Sequence, residues 1–211
     1  MSNAAGDPIN IAFCGPKRSG KSHAMASVLQ TRARSIVIDP AYTYDDGDAV
    51  FAGPRGSTDL YQAAMKRDPG AHWRYIWRPP RQTDMTVGLA TLAACAREVP
   101  GLCTLAVDEL AVIRMWTKDG MKRIEEAGRL GRHDQVSLLL AAQRVVDVPT
   151  SLWGGVVNEL WLFGYAGLAD RKRVRDNFGK EATEAVEKLP PYGFLCFRMV
   201  NRFSWSVEDP V

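Results

Sequence analysis

No apolar run in this chain approaches the ~20 residues that cross a bilayer. The N-terminus is small and polar rather than basic and then apolar, so neither a membrane helix nor a secretion signal is expected. Cysteine is sparse: Cys14, Cys95, Cys103 and Cys196 lie far apart, mostly inside apolar runs, which excludes a zinc ribbon or a secreted disulfide framework and suits reduced core residues. His23, His72 and His133 are too scattered to form a metal cluster. Internal repeats, low-complexity segments and Pro/Ser-rich linkers are missing too. The expectation is therefore one domain over residues 1–211, with residues 1–8 a flexible lead-in. A formal charge of +3 is too small to demand a nucleic-acid partner, although basic residues cluster at 78–81, 118–132 and 171–175.

What the sequence does have is a succession of short apolar runs bounded by Gly, Pro or charge: Ile9–Cys14, Ser35–Ile38, Arg74–Trp77, Leu102–Val107, Val136–Ala141, Glu159–Phe163 and Tyr192–Met199. Most are continuous rather than alternating, as strands buried on both faces of a parallel sheet must be. Between them lie segments of helical character, Lys21–Gln30, Leu60–Arg67, Asp84–Glu98, Gly120–Arg132 and Leu168–Lys188. The alternation predicts a three-layer α/β domain with a mostly parallel central sheet. Arg202–Val207 follows Tyr192–Met199 across Val200-Asn201, which predicts a C-terminal hairpin at one sheet edge.

Gly15-Pro16-Lys17-Arg18-Ser19-Gly20-Lys21-Ser22 matches G-x-x-x-x-G-K-[ST] at every fixed position, directly after an apolar strand and before a helix that opens with His23. Glycines let the backbone wrap closely, so that its N–H groups and the positive helix end face phosphate oxygens. Lys21 is expected to reach the β- and γ-phosphates of ATP and the Ser22 hydroxyl to coordinate magnesium. The strand Leu102–Val107 ends in Asp108-Glu109, which a parallel sheet delivers to the same carboxyl edge. Asp108 suits the magnesium shell and Glu109 suits a general base for an attacking water, a pairing that favours hydrolysis over phosphoryl transfer. The next strand ends at Gln143, an amide placed either to sense the γ-phosphate or to orient water.

The order of phosphate loop, Asp108-Glu109, Arg129-Leu130-Gly131-Arg132 and then Val136 through Gln143-Arg144 to Pro149 resembles the HerA/FtsK class of DNA-pumping ATPases, with a RecA/FtsK-like core. Ile38-Asp39-Pro40 and Leu189-Pro190-Pro191-Tyr192-Gly193 also fit. With almost nothing outside the core, the chain is most similar within that class to the compact genome-packaging ATPases of membrane-containing icosahedral viruses. Two departures stand out: Asp134-Gln135 where the class often has Gly, and Val145 where it often has Pro.

The resemblance implies a homo-oligomeric ring, commonly a hexamer, in which Arg129 or Arg132 enters the neighbour's ATP site; the bland alternative is a solvated helix face. It implies sequence-independent contact with double-stranded DNA, with capsid or viral membrane proteins as docking partners and a place in the host cytoplasm or with the virion. Arg114, Lys118, Lys122 and Arg123 form the first candidate DNA-contacting segment and Arg171-Lys172-Arg173 with Arg175 the second, each weighed against an ordinary solvated surface. Trp73, Trp77, Trp153 and Trp161 are expected in the core or at a subunit interface. The alternatives are a P-loop kinase acting on a small acceptor, which lacks an evident basic lid here, and a phage assembly or secretion ATPase.

Overall fold

The structure, a computed structural model, describes residues 8–81, 84–117, 119–153, 155–198 and 204–208, with Arg132 and 204–208 described by their backbone alone. Residues 1–7, Lys118 and the expected Val200-Asn201 turn lie outside the described residues.

The phosphate-loop strand β1 (Asn10–Cys14) leads into helix α1 (Lys21–Gln30) and then β2 (Arg34–Ile38). There follow β3 (Ala49–Ala52), α2 (Gly56–Met65), β4 (Trp73–Arg78), α3 (Thr86–Glu98) and β5 (Cys103–Val107). Helices α4 (Leu110–Trp116) and α5 (Gly120–Asp134) precede β6 (Val136–Ala142). A 3-10 turn at Val145–Asp147 and the short α6 (Thr150–Trp153) lead to β7 (Glu159–Leu162), α7 (Leu168–Glu187), β8 (Phe194–Arg198) and β9 (Ser204–Glu208). The nine strands form one sheet in the order β3-β4-β2-β5-β6-β1-β7-β8-β9; β3 through β7 are parallel in that order and β8 and β9 pair antiparallel at the edge.

The helical layers are unequal, and chain direction explains why. A parallel crossover is right-handed, so leftward and rightward crossings put their connections on opposite faces of the sheet. The chain runs leftward from β1 over β6 and β5 to β2, through α1, and again from β2 to β3; its later helical crossings run rightward. Accordingly Ile11, Phe13, Val37, Ala106, Leu139 and Ala141 share a small core with Met25 and Leu29 of α1. Ile36, Ile38, Leu105, Val107, Leu138 and Leu140 face a larger core with side chains from the other helices, α2 to α7. Met25 and Leu29 are fully buried, a stabilisation of roughly 1.5–3 kcal/mol each. Because the connections after β6 and after β1 pass to opposite faces, a crevice opens where these neighbouring strands end, the place at which open α/β sheets bind ligands.

Strand and helix positions follow the sequence reading closely, and four of the differences have a local cause. The edge strand β3 was not expected; its four residues alternate half-buried and exposed and carry little apolar signal. Leu110 and Ile113, three apart and both buried, wind the segment after the acids into α4, a helix the sequence reading did not include, so that Arg114 lies near the end of one helix and Lys122 and Arg123 in the start of the next. Helix α7 is broken at Gly179, whose φ of 91° is left-handed. The strand expected over Tyr192–Met199 starts only at Phe194, because Gly193 N–H donates to the Pro190 carbonyl in a turn that holds Tyr192 at φ 66°. Trp73 and Trp77 are buried in the core; Trp153 and Trp161 are half-buried against Phe178 and Phe13. Cys14, Cys95, Cys103 and Cys196 are all buried.

Candidate active site

Register brings the candidate residues to one edge. Cys14 pairs with Ala142, Leu140 with Val107, and Val107 with Ile38, so Gly15, Gln143, Asp108 and Asp39 emerge side by side. The loop between β1 and α1 then curls over that edge. Gly15 cannot carry a side chain, because a Cβ there would come within 2.9 Å of the Phe163 Cβ. Gly20 (φ 102°) and Arg18 (φ 61°) supply the left-handed turns. Inside the loop the Ser19 hydroxyl is buried without a protein partner, and the first N–H groups of α1 have no intrahelical acceptor. A cradle of unsatisfied donors fits a polyphosphate. Lys17, Arg18 and His23 are exposed at its rim.

Lys21 is buried and folds back so that its ammonium donates to the Pro16 carbonyl at 2.7 Å. Burial lowers its pKa, while Glu109 and Asp108 act in the opposite direction. Asp108 is 2% exposed, and burial, reinforced by Glu109, pushes its pKa up to about 6 against a hydrogen bond from the Thr43 hydroxyl. Glu109 adopts φ 53° and ψ 62°, a left-handed conformation that costs a non-glycine residue roughly 1–2 kcal/mol and turns the chain from β5 straight into α4. Its carboxylate accepts a hydrogen bond from the Gln143 amide at 2.8 Å. Glu109 and Gln143, separated by 34 positions in sequence, form one polar unit facing the loop.

The sequence reading gave no site role to the segment after β2. Asp39, fully buried, accepts from the N–H groups of Thr43 and Tyr44 at 2.8 and 3.1 Å, and lies 3.5 Å from the Arg78 guanidinium. Arg78 also donates to the Tyr44 carbonyl and to Asp45, both at 2.6 Å. The segment is thereby pinned across the site: Thr43 reaches Asp108, and the Tyr44 hydroxyl donates to the Ser22 carbonyl at 3.4 Å. A cleft lined by Ser22, His23, Thr43 and Tyr44 opens beside the phosphate loop. The signal was Asp39-Pro40 after a strand, paired with a distant Arg78 that only the fold brings near.

The remaining candidates are dispersed. Arg129 is exposed on α5, and of Arg132 only the backbone is described. Glycine 131 explains part of that motif, since a Cβ there would meet the Val136 carbonyl at 2.4 Å, so α5 packs close against the start of β6. Lys122 and Arg123 are exposed, the latter paired with Glu126 at 2.9 Å. Arg114 donates to the Asp147 carbonyl at 3.4 Å. Arg114 and Arg173, from the two separate basic segments, line a single groove floored by Val146, Val148 and Pro149. Among the described residues no helix is long and apolar enough to cross a membrane.

No protein-family model matches the chain, and no curated protein sequence is similar to it. Solved structures are similar throughout. The genome-packaging NTPase B204 of Sulfolobus turreted icosahedral virus 2, in complex with ATP-gammaS, superposes with a TM-score of 0.74 at 17% identity, over 99% of this chain and 100% of that one. The DNA-packaging ATPase B204 of Sulfolobus turreted icosahedral virus gives 0.72 at 20% identity, over 97% and 99%. VirB4 of Thermoanaerobacter pseudethanolicus gives 0.68 at 11%, over 99% and 91%. With its phosphate loop, its strand-end acids and an antiparallel pair at the sheet edge, the chain has the P-loop ATPase fold of the genome-packaging NTPases.

Proposed function

We propose that this chain hydrolyses ATP and uses that reaction to drive double-stranded DNA into a viral capsid, working as a homo-oligomeric ring. The observation that carries the reading is the convergence of Lys21, Asp108, Glu109 and Gln143 on one sheet edge, with Glu109 and Gln143 hydrogen-bonded, in a fold shared end to end with two packaging NTPases. Lys21 leaves Pro16 to neutralise the β- and γ-phosphates, and the loop N–H groups and Ser19 hydroxyl hold the rest of the triphosphate. The Ser22 hydroxyl and the ionised Asp108 carboxylate would hold magnesium, a hard-oxygen pair that suits the ion. When bound there, magnesium would supply positive charge to offset that of the triphosphate. Glu109 takes the proton of the attacking water, with Gln143 fixing the carboxylate and serving either to sense the γ-phosphate or to orient that water.

Arg129 and Arg132 on α5 are the fingers offered to a neighbouring subunit, which is why a ring is part of the reading. The Arg114 and Arg173 groove, joined by the exposed Lys122 and Arg123, is the contact for DNA phosphates, sequence-independent and sensitive to salt.

ATP turnover measured with and without long double-stranded DNA, across a salt series, tests the proposal. DNA stimulation that fades as salt rises is the expected result; turnover indifferent to DNA but raised by a small phosphoryl acceptor points to a kinase instead.

A further inference from the structure

Asp170 stands in the first turn of α7, where an acid ordinarily does no more than complement the helix dipole. Its setting here is different. The side chain is 1% exposed and turned toward the segment that follows the Gln143 strand: one carboxylate oxygen accepts the Val146 N–H at 3.2 Å. The other faces the Arg144 guanidinium at 3.7 Å and has no hydrogen-bond partner. A buried carboxylate left half-satisfied is costly, so a shift of well under an ångström that closes the Arg144 contact is favoured and one that opens it is opposed. Arg144 itself is 45% exposed on its side chain.

On its near side, this contact adjoins the catalytic edge. Arg144 follows Gln143, whose amide holds Glu109 at 2.8 Å. On its far side lies the basic groove. Asp147 presents its carbonyl to Arg114, Thr150 accepts from Arg173 at 3.2 Å, and Arg173 lies over the Trp153 ring at 5.5 Å. Glu125, the acid in the groove, is occupied by the Ser151 hydroxyl. A displacement of residues 144–147 therefore moves Arg114 and α7, with Arg173 on it, together.

We infer that Asp170 is a positioning residue that couples the Gln143–Arg144 turn at the ATP site to the groove formed by Arg114 and Arg173. The inference rests on the DNA-motor reading above and names the path by which ATP state changes the grip on DNA. The Arg144 and Asp170 contact is the link through which the two sites would act on each other.

The test compares wild type, Asp170→Asn, Arg144→Gln and the double variant for ATP affinity, basal turnover and turnover with DNA. Asp170→Asn keeps ATP affinity and basal turnover within about twofold but loses DNA stimulation by about tenfold, in the usual range of coupling factors. Arg144→Gln, altered at a half-exposed position that the fold tolerates even if the buried change does not, loses the same stimulation, and the double variant loses no more. Full stimulation in Asp170→Asn, or losses that simply add in the double variant, overturns the inference while the motor reading stands. A wild type indifferent to DNA overturns both.

Discussion

The Gln143 amide donates to the Glu109 carboxylate at 2.8 Å, joining the ends of neighbouring strands β6 and β5 directly beside the phosphate loop. The bond leaves Glu109 its remaining lone pairs for a water and keeps the carboxylate from rotating away. Glu109→Gln should bind ATP with near-normal affinity yet turn it over about 10²–10⁴-fold more slowly, the usual worth of a general base. Gln143→Ala should retain Glu109 but free it, lowering turnover by a smaller factor. Single-turnover hydrolysis beside equilibrium ATP binding separates the two.

Asp108 makes the site pH-sensitive. Its pKa stands at about 6 in the fold, above its ordinary value near 3.8, so the folded chain holds an extra proton between those values. Stability from this group is full below pH ~4, falls as pH rises toward 6, and is flat beyond; a shift of about two units bounds the effect at ~3 kcal/mol. Asp108→Asn should abolish that slope in urea titrations run from pH 4 to 7. Because magnesium requires the ionised carboxylate, binding of magnesium and ATP at pH 6 should release about half a proton from this site in wild type and none from it in Asp108→Asn. Calorimetry in buffers of different ionisation enthalpy reads that proton directly.

Much of this was legible before any coordinates. Strands β1, β2, β5 and β6 announce themselves because burial on both faces demands nearly unbroken apolar runs, and the phosphate loop is a fixed local pattern whose chemistry needs no partner from afar. Asp108, Glu109 and Gln143 were placed together because a parallel sheet sends strand ends to one edge. The roles of Asp39, Arg78 and Asp170 were not legible. Asp39 and Arg78 are 39 positions apart and Asp170 is 26 from Arg144, and nothing local marks either pair as a pair. The α4 helix was hidden for a similar reason: its start depends on the left-handed turn at Glu109, which sequence spacing does not reveal.

Arg78 secures the segment 39–48 through Asp39, Tyr44 and Asp45, so its loss should loosen a wall of the ATP site rather than the chemistry. Arg78→Gln leaves the buried Asp39 without its cation, at a cost of about 2–3 kcal/mol, below the full range for buried pairs because the guanidinium is 18% exposed on its side chain. Limited proteolysis should then cut within 40–48, and KM for ATP should rise about tenfold with kcat little changed. A fall in kcat at unchanged KM would mean that the segment acts on the chemical step instead.

Gln135 offers a change in the opposite direction. It ends α5 at φ 56° with its N–H on the Gly131 carbonyl, the left-handed cap geometry at which glycine is the usual residue, and it stands where the resembling class often has Gly. Its side chain is exposed, so little packing is lost on replacement. Removing the Cβ relieves about 1 kcal/mol of strain, partly offset by the greater freedom of glycine in the unfolded chain. Gln135→Gly should therefore raise the melting temperature by about 1–3 °C in a domain of this size. Because α5 also carries Arg129, the same variant should leave ATP turnover unaltered if the cap serves only to end the helix. A drop in turnover with a raised melting temperature would instead show that strain at residue 135 sets the position of the arginine-bearing helix α5.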